Sequence, residues 1–178
     1  MLIASDLKDL LHENMVGVST AEDACITMGN TISEYVMNNA ELVFSWVAVG
    51  PPPASVPDPV VVAQGKVTFL NVNIIPSGLT DSVLANQDLA LQISTTTKLT
   101  GLFNIDNTPE NLFVTAPGSM SSMIDLILVP SGISDPDLAA LDLCTKIVNW
   151  FKTNLYAIPV TGIRAGVYTG TGLITSFQ

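Results

Sequence analysis

Five prolines crowd the ten residues from Gly50 to Pro59, Gly-Pro-Pro-Pro-Ala-Ser-Val-Pro-Asp-Pro, and no regular helix or central strand passes through such a stretch. Each proline removes a backbone donor and pushes the residue before it into extended geometry. The chain is therefore divided here by a stiff loop with polyproline II character. Two readings follow for residues 50–59. The loop connects two strands, or it offers Pro51, Pro52, Pro53, Val56 and Pro57 as a contact for an aromatic groove on a partner.

Upstream of this loop the hydrophobic period changes from that of a helix to that of a strand. Upstream, Leu7, Leu10 and Leu11 mark a short amphipathic helix within an N-terminal arm, 1–18, broken near Gly17. Thr20 with Asp23 then has the form of a capping box. Behind it Cys25, Met28, Ile32, Tyr35 and Val36 hold helical spacing to about Asn39. From Ala40 to Val49 the pattern becomes a dense apolar run ending at Gly50, which predicts a buried strand. Downstream, Val60 to Ile75 alternates in the manner of a second strand.

The stretch from Pro76 to Pro117 is ambiguous. Leu84, Leu89 and Ile93 fit a helix, while Thr95, Thr96 and Thr97 favour extended structure. From Ser119, the set Met120, Met123, Ile124, Ile127 and Leu128 fits one helix face, and a buried strand over Ile124 to Val129 fits nearly as well. Ser134 with Asp137, and Pro136 in the first turn, announce a second long helix with the stripe Leu138, Leu141, Cys144, Ile147, Val148 and Phe151, ending before Pro159. The remainder, Gly162 to Gln178, predicts a terminal hairpin. Ile32, Tyr35 and Val36 align with Ile147, Trp150 and Phe151, as a duplicated helix-strand-strand unit would require. The expected fold is thus α+β, one structural domain over 1–178, with two long amphipathic helices packed on a mainly antiparallel sheet.

Charge limits function. Only 12% of residues are charged, about half the roughly 25% usual in soluble domains. Mean hydropathy is +0.46, yet no window approaches the ~18 apolar residues of a membrane span. Apolarity in so small a chain is expected to be hidden in subunit contacts, as in a homo-oligomer. Sixteen acidic residues stand against six cations, Lys8, Lys66, Lys98, Lys146, Lys152 and Arg164, scattered singly. Nucleic-acid backbones and anionic membranes both need clustered cations, so direct binding to either is not expected. The N-terminus has no basic region followed by an apolar one, which predicts synthesis in the cytoplasm without a secretory signal.

Catalytic chemistry is correspondingly thin. His12 is the single histidine, near Asp9 and Glu13 in a short helix, and predicts a solvated surface residue. Cys25 and Cys144 lie on apolar helical stretches and predict buried thiols. Glu22, Asp23, Asp135 and Asp137 sit where helix caps are needed, which accounts for them without a metal. Gly166 to Gly172 lacks the Lys-Ser/Thr ending of a phosphate loop and predicts turns. The chain is expected to be no enzyme and to use no cofactor.

The helix Thr145-Lys146-Ile147-Val148-Asn149-Trp150, followed by Val167-Tyr168-Thr169-Gly170-Thr171-Gly172, resembles uncharacterised virion structural proteins of tailed bacteriophages, over about a third of the chain. The resemblance implies a subunit in the virion, contacting other virion proteins: a head decoration protein, connector, tail terminator or baseplate component. An intracellular adaptor binding through the proline-rich loop is the alternative.

Overall fold

The computed structural model describes residues 1–49, 61–96, 98–105, 108–115, 128, 132–154, 159–164 and 168–177, with side chains at 1–41, 43, 70–95, 128 and 132–153. Four helices run Ala4–Asn14 (α1), Ala21–Asn39 (α2), Ser82–Thr96 (α3) and Pro136–Asn154 (α4). Their ends follow from side chains that satisfy orphan backbone groups. Thr20 accepts the Asp23 backbone N–H at 3.0 Å, and the Ala40 N–H returns to the Val36 carbonyl at 2.8 Å. Asp81 caps α3 by accepting from the Val83 and Leu84 N–H groups at 2.9 and 3.0 Å. In α4 the cap is Asp135, which accepts from Asp137 N–H at 2.9 Å and Leu138 N–H at 3.2 Å. Pro136 occupies the first helical position, so the cap falls on the residue just before it rather than on Ser134.

The first helix ends as expected, with Gly17 at φ 82, a left-handed geometry that glycine adopts at little cost. Within the ambiguous middle, residues 82–96 are helix and 98–105 and 108–115 have strand backbone. The threonine run does not prevent the helix, because Thr95 Oγ1 donates to the Leu91 carbonyl one turn back at 2.7 Å.

The helices share one core. Leu7 of α1, Ile32 and Val36 of α2, Ile93 of α3, and Ile147 and Phe151 of α4 are all buried, together with Leu2 and Leu128. Phe151 meets Trp150 edge-on, with ring centroids 5.0 Å apart and planes at 74°. After Asn71 the alternation continues in an irregular extended segment in which Val72 and Ile74 are buried between exposed neighbours. That segment is sewn to α2 and α3. Ser33 Oγ accepts the Val72 N–H at 2.9 Å and donates to the Gly29 carbonyl at 2.7 Å. The Gln92 amide accepts from Ile75 N–H at 2.7 Å and donates to Ile75 O at 3.1 Å.

Strand backbone occupies Leu42–Val49 (β1), Val61–Asn71 (β2), Lys98–Ile105 (β3), Thr108–Thr115 (β4), Pro159–Arg164 (β5) and Tyr168–Phe177 (β6). The backbone ladder has the order β4-β3-β2-β1-β6-β5, with antiparallel neighbours. Over the residues whose side chains are described, however, the chain is 68% helix and 3% strand, with four helices and no sheet. This corrects the expected α+β class of two long helices packed on an antiparallel sheet. The packing that can be followed is of the helices on one another and on the segment Leu70, Val72 and Ile74. Two segments that seemed minor, α1 and α3, each place a side chain at zero exposure in the core, Leu7 and Ile93. Short amphipathic stretches carry a weak periodic signal, and their contribution depends on the neighbours they meet.

The proposed duplication falls with the fold class. The aligned positions Ile32, Tyr35, Val36, Ile147, Trp150 and Phe151 are all buried, as any two amphipathic helices on a common core require. The Tyr35 hydroxyl accepts from Ile3 N–H at 2.6 Å and donates to Ile3 O at 2.7 Å, whereas Trp150 packs on Phe151.

Candidate functional site

Among the described residues, two clefts lie between the helices. In the larger, of about 410 Å³, α1 and the residue after it contribute Lys8, Leu11, His12 and Met15, and α4 contributes Pro136, Asp137, Ala140, Leu143 and Cys144; Met28 of α2 completes the lining. The α1 set has the spacing i, i+3, i+4, i+7, one face of a helix. The α4 set falls at i, i+1, i+4, i+7 and i+8, also one helix face, so a ridge of side chains from each helix bounds the space.

The smaller cleft, of about 230 Å³, is lined by Ala24, Cys25 and Met28 of α2, Ile74, Ile75 and Ser77, and Ala85, Asp88, Leu89 and Gln92 of α3, together with Met15. Met15 and Met28 line both clefts, so the two adjoin there. Unbranched, polarisable thioethers suit such a place, since methionine adapts its shape to what it meets.

The larger cleft has a polar end. Lys8 Nζ lies 2.8 Å from Asp137 Oδ1 and 3.0 Å from Asp9 Oδ1, and the hydrogen bond it donates to Asp137, then that to Asp9, raises the lysine pKa. Asp137 was expected to cap α4; instead its carboxylate reaches across to α1 while Asp135 caps. His12 is exposed in the last turn of α1. On the floor of the cleft, Cys144 is 1% exposed. Burial pushes its thiol up to about 11, with Lys8 pulling the other way. Cys25, half-buried, is also raised by burial. Neither thiol has the electropositive, open surroundings that make a cysteine nucleophilic.

The Cys144 shift has a measurable consequence. Its folded-state pKa of about 11 lies above the ordinary 9.0, so the fold favours the protonated thiol. The stabilisation is full below about pH 9 and is lost as pH rises through about 11. Denaturant midpoints measured across that window should fall more steeply in the native chain than in Cys144→Ala. Parallel curves would show that the thiol is not desolvated.

Among the described residues no group of three or more His, Cys, Asp or Glu is placed to hold a metal ion, and no helix is long and apolar enough to cross a membrane. Pro51, Pro52, Pro53, Val56 and Pro57 lie outside the described residues, as do residues 119–127 and 129 of the ambiguous segment. The structure thus brings together residues that the sequence presents separately, Lys8, Leu11, His12, Met28, Asp137 and Cys144, with Met15, Ala140 and Leu143, which carry no signal of their own. Met15 and Met28 are invisible as a pair until α1 and α2 meet. The spacing Lys8, Leu11, His12, Met15 was the available signal, and it was overshadowed by the more apolar Leu7, Leu10, Leu11. No protein-family model, curated protein or solved structure matches the chain.

Proposed function

We propose that the chain is a non-enzymatic, self-assembling structural subunit of a phage virion, in contact with copies of itself and with capsid or tail neighbours. The observation that carries the assembly reading is the outward face of α3. Ala90 and Ile93 are buried against the core, while Leu84 and Leu91, an i, i+7 pair, stand 50 and 57% exposed with Gln87 between them. An apolar pair held outward on a helix supports a further subunit seated there. The low charge of the chain, 12%, agrees with a surface spent on contacts. The virion is the assembly implied by the resemblance of residues 145–172.

Two measurements test this. Light scattering of the purified chain should give a mass above one copy that falls to one copy in Leu84→Glu/Leu91→Glu, with helicity retained. A monomer at every concentration would overturn self-assembly. Quantitative mass spectrometry of purified phage particles should find the chain at fixed stoichiometry, and its absence would overturn the virion assignment.

A further inference from the structure

We propose that the joined clefts are a docking groove for an amphipathic helix of a different protein, one that carries basic residues beside its apolar stripe. This goes beyond self-assembly, and the groove uses other residues than the outer side of α3. Its walls are two helical ridges, Lys8/Leu11/Met15 and Asp137/Ala140/Leu143. A third helix seats its own ridge between such ridges, with apolar side chains at i, i+3, i+4 and i+7. A space of about 410 Å³ is within the range that holds an inserted group of this kind. Met15 and Met28, common to both clefts, supply a floor that adapts to it.

Charge selects the occupant. The one ammonium in the walls, Lys8, is shared by Asp9 and Asp137 at 3.0 and 2.8 Å, so that end of the groove keeps a net negative charge. Asp88 adds a carboxylate to the adjoining cleft. A second copy offers no helix with a basic flank to place here, because its six cations are scattered singly among sixteen acidic residues. A basic flank on the incoming helix meets Asp9, Asp137 and Asp88 with complementary charge.

The test uses the full chain and two synthetic helical peptides with the same leucine stripe, one flanked by lysines and the other by glutamates, followed by fluorescence anisotropy. The Leu/Lys peptide should bind at least about tenfold more tightly than the Leu/Glu peptide. Ala140→Trp, which fills the groove without altering charge, should weaken Leu/Lys binding by about tenfold while melting temperature and oligomeric mass stay unchanged. Where Ala140→Trp does not fold, Met15→Ala is judged by the same loss of binding. Equal binding of the two peptides, no binding of either, or full binding by the folded groove variant each overturns the proposal. The last result would mean that general surface charge holds the peptide. None of these results bears on the mass of the native chain, so failure here is distinct from failure of self-assembly.

Discussion

Gly29→Ala should destabilise the protein by about 3 kcal/mol, although the substitution replaces glycine by the best helix former in the middle of α2. On an isolated helix the change would be favourable by about 1 kcal/mol. In the folded chain the new methyl group would run into the carbonyl oxygen of Val72, with the Val72 carbonyl carbon and the Ile74 nitrogen close behind. These are backbone atoms and have no rotamer to escape into. Moving the 72–74 segment away also stretches the buried bond from Val72 N–H to Ser33 Oγ, now 2.9 Å. Leaving a buried donor unsatisfied costs about 1–3 kcal/mol. The two penalties together exceed the gain in propensity. Urea denaturation of Gly29→Ala beside Asn30→Ala, on the exposed side of the same helix, separates the effects. Asn30→Ala should be neutral or slightly stabilising. Equal midpoints for both variants would mean that α2 does not approach the 72–74 backbone as described.

Truncating Phe151 to alanine should cost about 4 kcal/mol, the expected price of deleting a fully buried aromatic side chain. Phe151 has zero exposure and stands edge-on to Trp150 in the core shared by α1, α2 and α4. Alanine removes the buried area and leaves a void that packed helices close only in part. A domain has about 5–15 kcal/mol in total, so this variant should sit close to unfolding at room temperature. Phe151→Leu, which keeps much of the volume, should lose roughly half as much or less. The change in tryptophan emission from Trp150 reports the loss locally, while helicity reports it globally. A Phe151→Ala loss below about 1 kcal/mol would place the side chain outside a close-packed core.

These two positions differ in how far the sequence announces them. Phe151 closes a stripe of apolar residues at helical spacing behind a proline-and-aspartate start signal, so its burial is visible in one dimension. Gly29 is not. Within a helical stretch a glycine signals only a propensity cost, and its real duty, admitting the Val72 carbonyl, needs two segments far apart in the chain to be brought together. The same holds for the candidate site. Capping at Thr20 is local, and the aspartates near the start of α4 are visibly cap-like. Which of them caps and which crosses to Lys8 is a question of where α1 lies.

The corrected fold class has a similar cause. The dense apolar run at 40–49 and the alternation at 60–75 carried the expectation of helices laid on a sheet, because both are strong local signals. The short runs of α1 and α3 carried little weight, yet Leu7 and Ile93 end in the common core. Marginal helices are stabilised by what they pack on rather than by their own propensity.

Patterning within the chain was enough to place the two long helices, the break after α1 at Gly17 and the buried character of Cys144, since each depends on residues within a few positions of one another. It also established the proline-rich division at 50–59 and the shortage of charge. Tertiary structure alone decided that α1 and α3 belong to the core, that Asp137 pairs with Lys8, that Gly29 must remain without a side chain, and that Met15 and Met28 meet at the junction of two clefts. Each of these rests on contact between segments remote in sequence, and the free energy of such contacts depends on distance and burial, which the order of residues does not itself contain.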